Sequence, residues 1–240
     1  HISTCEDCLR TIKIFQAMGV KIEGAGTENL VIDGKGLRGL TTPKDILDAG
    51  NSATTMRLVI GVLAGQDFTA TITGDQYLQR RPMMRVVQPL RLMGAKIEGR
   101  EDANFAPLTI KGEKLKAVDY NLPVASAQVK SALLLAALYA KGKTTVSSPA
   151  LSRDHTERML KGFGASVKVK NLKVSIKGGA RLAGQQIIVP GDISSAAFLI
   201  VGATLVKDAE LTILNVGINP TRCGFIDALN QMGASIEIKN

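Results

Sequence analysis

Four short stretches recur along the chain: Met18-Gly19-Val20-Lys21-Ile22-Glu23, Met93-Gly94-Ala95-Lys96-Ile97-Glu98, Phe163-Gly164-Ala165-Ser166-Val167-Lys168 and Met232-Gly233-Ala234-Ser235-Ile236-Glu237. Their glycines lie 75, 70 and 69 residues apart, a spacing that marks a repeated structural unit. Each stretch has the same physical content. Apolar residues at three-to-four spacing run up to a glycine that can end a helix, and an alternating apolar and polar strand follows. The amphipathic helices upstream are expected at about 6–18, 82–93, 154–163 and 222–232.

Between them a second kind of helix recurs at 51–64, 126–140 and 192–205. These segments are apolar nearly all round, which predicts burial. Their first turns are instead small and polar: Asn51-Ser52-Ala53-Thr54, Ser126-Ala127-Gln128 and Asp192-Ile193-Ser194-Ser195. Short β-branched strands at 69–73, 144–147 and 211–214 come next. The unit therefore reads strand, buried helix, strand, amphipathic helix, paired strands, and the fold class is α/β, built from repeated βαβαββ units. The chain opens inside one unit and closes before a last strand could pair, so it reads as truncated at both ends. Val189-Pro190-Gly191 is the best candidate for a domain boundary.

Composition bounds the function. The chain has 240 residues, enough for one large domain or two smaller ones, with 45% apolar and 21% charged residues, as in an ordinary globular protein. No apolar stretch reaches the roughly 18–20 residues that span a bilayer, so no membrane partner is expected. The net charge of +9 favours anionic ligands, but aromatics are only 4% and Trp is absent, which argues against nucleic-acid binding on stacking platforms. Three cysteines, an odd number, fit a reducing cytoplasm better than a disulfide framework. Cys5-Glu6-Asp7-Cys8 is a bare C-x-x-C without a second pair, and no metal site is expected. Gly34-Lys35-Gly36-Leu37-Arg38-Gly39 matches a dinucleotide fingerprint in letters only. Leu40-Thr41-Thr42-Pro43 stands where a helix would have to open, so a loop joining strands is expected.

The polar first turns of the buried helices are either plain N-caps or anion sites, because unpaired N–H groups and the positive end of the helix dipole point the same way. Arg57, within Met56-Arg57-Leu58-Val59, is costly to bury unless it meets an anion or a carboxylate. With Arg80-Arg81-Pro82 it suggests either a carboxylate or phosphate site or a structural ion pair. His155, at a helix start within Ser152-Arg153-Asp154-His155-Thr156, suits anion binding, proton transfer or a surface capping cluster.

Four ordered motifs resemble the 5-enolpyruvylshikimate-3-phosphate synthase family over essentially the whole chain. They are Gly50-Asn51-Ser52-Ala53-Thr54-Thr55-Met56-Arg57, Gln79-Arg80-Arg81-Pro82-Met83, Ala125-Ser126-Ala127-Gln128-Val129-Lys130-Ser131 and Ser152-Arg153-Asp154-His155-Thr156-Glu157. The resemblance implies an inside-out α/β barrel of the enolpyruvyl transferase type: two domains of three βαβαββ units each, with helix N-termini facing a shared cleft. Residues 1–190 would be a substrate-binding domain lacking its first strand and helix, and 191–240 the incomplete first unit of the second domain. The implied reaction joins phosphoenolpyruvate to shikimate 3-phosphate and releases phosphate, without a cofactor. By motif matching, Arg81, Arg57, Asn51 and Thr54 would stand at the phosphoenolpyruvate side and Gln128 at the junction of both substrates. Ser126, the backbone of Ala127, and Ser152 would hold the phosphate of shikimate 3-phosphate, with His155 where many members have tyrosine. Ala53 replaces a common glycine, which resembles the glyphosate-tolerant class.

The family's acid and base candidates have no counterpart within these residues, so the chain alone is expected to be inactive and the remainder of the enzyme to be its partner. Two other readings remain: a non-catalytic fragment that docks its missing half, and the sister transferase acting on UDP-N-acetylglucosamine, whose reactive-loop cysteine has no counterpart near Arg81.

Overall fold

The computed structural model describes residues 2–239, in two compact units, His1–Gln186 and Ile187–Asn240. The division falls four residues before the expected boundary. In the first unit, α1 (Glu6–Ala17) leads into a hairpin of β1 (Lys21–Glu23) and β2 (Val31–Asp33). Irregular chain follows β2 through Gly34–Gly39, as the run of Leu40-Thr41-Thr42-Pro43 required.

Two complete repeats come next. The first is β3 (Leu47–Asp48), α2 (Ala53–Leu63), β4 (Thr69–Thr73), α3 (Met84–Leu92), β5 (Lys96–Gly99), a one-turn segment α4 (Arg100–Ala103), and β6 (Phe105–Lys111). The second is β7 (Asp119–Asn121), α5 (Ala127–Ala137), β8 (Lys143–Ser147), α6 (His155–Gly162), β9 (Val167–Lys170) and β10 (Lys173–Lys177). Their sheets run β3-β4-β6-β5 and β7-β8-β10-β9, each with one parallel pair at the start and antiparallel pairs thereafter. Alternation in sequence becomes one buried face: Ile72 lies opposite Leu108, and Val146 opposite Val174, all with little or no exposure.

All four repeat glycines end helices in the same way. Gly19, Gly94, Gly164 and Gly233 have φ of +85°, +101°, +95° and +99°, values that favour a residue without a Cβ. The next residue's N–H then donates back across the turn, Val20 to Phe15, Ala95 to Leu90, Ala165 to Leu160 and Ala234 to Leu229, at 2.9–3.0 Å. That is the Schellman arrangement, which satisfies carbonyls the helix end leaves open.

The buried helices α2 and α5 pack side by side and run parallel. Gln128 at the start of α5 bonds to Thr54 and Arg57 at the start of α2. Farther along, a Cβ on Gly61 would collide with the carbonyl of Ala132, and one past the helix end on Gly65 would collide with the Tyr139 ring. Gly61 therefore sets how closely the two backbones approach, and both helix N-termini come to the same end of the unit.

The second unit departs from expectation. It contains α7 (Ile193–Leu205) and α8 (Gly224–Gln231). Residues 211–214 form no strand, and neither do residues 234–239. Alternation alone does not make a strand; a ladder partner is needed, and the described residues of this unit supply only an isolated bridge between Gly191 and Val216. Nor is α7 buried. Ile193 and Ala196 are covered, but Phe198 is 82% exposed and Leu205 80%. An all-round apolar helix needs cover on every side, and α8 with one bridge does not provide it.

Candidate anion-binding site

The site grows from the first turns of α2 and α5. Ser52 is the N-cap of α2, its Oγ accepting from the Thr55 N–H at 3.2 Å, and Ser126 caps α5 by accepting from Val129 at 3.4 Å. The plain capping role is therefore real at both helices. It satisfies only part of the donor set at each end, and the dipole remains.

Arg57, one turn into α2, is 8% exposed. Its Nη1 donates to Gln128 Oε1 at 2.5 Å and its Nη2 to the Pro82 carbonyl at 3.2 Å, while Nε meets no partner among the described residues. Burial, and then the charges of Arg85 and Arg81, hold its pKa below the ordinary arginine value. Among the described residues no acid forms a salt bridge with Arg57. The structural ion pair left open by sequence is absent there, and a desolvated cation flanked by like charges is what a bound anion would relieve.

Arg81 lies across from it. Its Nη2 donates to Asn51 Oδ1 at 2.9 Å, and Asn51 Nδ2 donates to Asp75 Oδ2 at 2.7 Å. The Leu78 N–H and then the Asn51 amide hold the Asp75 carboxyl below its usual range. Gln128 Nε2 donates to Thr54 Oγ1 at 2.7 Å, closing the link between the two helices. The structure thus forms two hydrogen-bonded groups, Arg81–Asn51–Asp75 and Arg57–Gln128–Thr54, and the charge of Arg81 acts on Arg57 between them. Ala53, buried, opens α2 beside them, and Ser126 and Ala127 immediately precede Gln128.

Ser152 joins less directly. Its carbonyl lies 3.5 Å from Lys130 Nζ, and its hydroxyl is buried without a partner among the described residues. Lys130, one turn into α5, forms an ion pair of 2.6 Å with Glu157 of α6, the two residues being 5% and 4% exposed. A Ser131–Thr156 hydroxyl contact of 2.7 Å reinforces it. His155 opens α6 and is exposed; among the described residues no hydrogen bond carries its ring to either group.

Sequence reasoning passed over Lys130, Glu157 and Asp75. Lys130 carried the signal that singled out Arg57, a cation in an apolar helix. Glu157 and Asp75 carried none, because their partners are 27 and 24 residues away.

Parallel helix ends, with Arg57 and Arg81 beside them, mark a candidate anion site on an α/β repeat scaffold. The comparisons make the class specific. The chain belongs to the EPSP synthase (3-phosphoshikimate 1-carboxyvinyltransferase) family, whose model matches residues 2–240. It is 58% identical over 97% of its length to the 3-phosphoshikimate 1-carboxyvinyltransferase of Desulforamulus reducens, and 55% identical over 98% to that of Geobacter sp. strain M21, covering 54% of each. The solved EPSP synthase of Acinetobacter baumannii superposes with a TM-score of 0.92 at 49% identity, over 98% of this chain and 53% of that one. The chain spans about half the length of the curated relatives it matches.

Proposed function

We propose that the chain supplies the anion-binding part of an enzyme that transfers the enolpyruvyl group from phosphoenolpyruvate to shikimate 3-phosphate and releases phosphate. The observation that carries this reading is Arg57, desolvated, facing other arginines and without an acid among the described residues, at the shared N-terminal end of two parallel helices. Phosphoenolpyruvate brings a carboxylate and a phosphate, and guanidinium forks match both in two-point geometry. Arg81, Arg57, Asn51 and Thr54 take that substrate in our assignment. Ser126, the Ala127 backbone and Ser152 take the phosphate of shikimate 3-phosphate, with Gln128 between the two and His155 at the rim.

In this scheme these residues orient the reactants and stabilise charge that grows on the departing phosphate. Protonation of the enolpyruvyl methylene and deprotonation of the attacking hydroxyl need a positioned acid and base. We assign both to the remainder of the enzyme, so turnover by this chain alone is expected to be negligible.

The test measures phosphate release from the two substrates with this chain alone, with the chain joined to the remaining segments of the Desulforamulus reducens relative, and with Arg81→Ala in the joined protein. Release is expected only from the joined protein and is expected to collapse in Arg81→Ala. A folded joined protein that releases no phosphate would overturn the assignment, and steady turnover by the chain alone would overturn the division of labour.

Ala53 adds a specificity reading. Its methyl stands at the tight start of α2, where it would crowd glyphosate more than the shorter phosphoenolpyruvate. Ala53→Gly in the joined protein is expected to raise sensitivity to glyphosate, and unaltered inhibition would count against that role.

A further inference from the structure

Away from the anion site, the first turn of α1 holds two of the three cysteines. Cys5 is the N-cap, with extended backbone and no side-chain capping bond, and Cys8 is the third helical residue. Side chains at these two positions face each other across a helix's first turn, as in a capping box. The Cys5 N–H donates to the Ser3 hydroxyl oxygen at 3.2 Å. Cys5 is exposed and Cys8 half-buried, and both are free thiols. The described residues offer no group of three or more metal-ligating side chains.

The two thiols are chemically unequal. Donation from Ser3, then from the Cys8 N–H and thiol, lowers the Cys5 pKa against the opposing effects of burial and Asp7. Burial first, then Cys5, pushes Cys8 up to about 11. One sulfur is accessible and inclined to ionise; the other is withdrawn and holds its proton until needed. An exposed attacking thiol with a withdrawn resolving thiol three residues later at a helix start is the arrangement thiol–disulfide exchange requires.

We propose that Cys5 and Cys8 form a redox-active dithiol that exchanges with low-molecular-weight disulfides and closes a reversible Cys5–Cys8 disulfide across the first turn of α1. The Cys5 thiolate attacks one sulfur of the small disulfide, forming a mixed disulfide and expelling one thiolate, which takes up a proton. Cys8 then gives up its proton and attacks the Cys5 sulfur, releasing the second small thiol. The protein loses two hydrogens, and one small disulfide is reduced to two thiols.

The ring so closed contains Asp7. Its carbonyl accepts from the Thr11 hydroxyl at 2.9 Å and lies 3.3 Å from Thr55 Oγ1 in the capped first turn of α2. The dithiol is thus tied to the helix that carries Thr54 and Arg57.

The test uses the whole 240-residue chain, reduced and then exposed to oxidised glutathione at neutral pH. Residues 1–10 form one tryptic peptide containing both cysteines, so its mass reads the product directly. We expect loss of two hydrogens from that peptide, with release of two equivalents of glutathione. Cys8→Ser should stop at a glutathione adduct on Cys5. Cys5→Ser should react at Cys8 about tenfold more slowly or worse. A glutathione adduct that persists on the unaltered chain, equal reactivity of Cys5 and Cys8 in the single variants, or the same rates in urea as in the folded chain would each overturn the proposal.

Discussion

Lys130→Met is expected to destabilise the chain by about 3–5 kcal/mol, read as a shift in the urea unfolding midpoint. An exposed ion pair would carry no such weight, since its net contribution is about 0–1 kcal/mol. Lys130 and Glu157 differ because both are almost wholly buried and 2.6 Å apart. One oxygen of Glu157 already lacks a partner among the described residues. Removing the lysine leaves a carboxylate with no cation in a site that water does not reach. The double variant Lys130→Met with Glu157→Leu should recover most of the loss, because taking both charges out removes the desolvation cost together with the attraction. A loss below about 1 kcal/mol for Lys130→Met would show instead that water reaches the pair.

The same substitution at Arg57 should have the opposite signature. Arg57→Met is expected to leave stability within about 1 kcal/mol, because no acid is stranded and Gln128 is accessible enough to find water. Its effect should fall on binding: two charge-assisted hydrogen bonds to an anion are lost, and roughly 1.5–3 kcal/mol corresponds to about 10- to 150-fold weaker affinity for phosphoenolpyruvate. Calorimetric titration of that substrate, paired with urea unfolding of the same sample, reads both quantities. If Arg57→Met unfolded the chain as severely as Lys130→Met, or left the affinity unchanged, Arg57 would be structural. Two cations buried to nearly the same degree, on the equivalent turns of neighbouring helices, are thus separated by whether an acid stands opposite.

The repeat was legible because helix termination is local. A glycine after an amphipathic run, followed by alternation, needs only residues near in sequence, and all four such stretches do end helices at left-handed glycines. Burial of α2 and α5 was legible for the same reason. The parallel packing of those helices was not, because it rests on Gly61 lying against Ala132 and on Gln128 reaching Thr54, 71 and 74 residues away. The limits of local reading are plainest in the second unit. The pattern at 211–214 and the apolar run of α7 are as strong as their counterparts in the first unit, yet neither strand nor burial follows, since both require neighbours that the pattern does not contain. Of the site, Arg57, Arg81, Asn51 and Gln128 announced themselves by type and motif. Asp75, which anchors Asn51 from the loop after β4, did not.

Packing α2 and α5 parallel has a dynamic consequence. Antiparallel neighbours cancel each other's dipoles; parallel ones set two positive ends together, here with Arg57 and Arg81 added. The capped first turns are therefore where the unit concentrates like charge, while the interior below is knitted by close contact at Gly61. Motion in the first unit should be graded along the two helices, loosest at their capped first turns and quiet toward Leu63 and Ala137. In the proposed function, an anion bound at that end would do more than occupy a site: it would supply counter-charge to both helix ends, so that ligand and fold order each other.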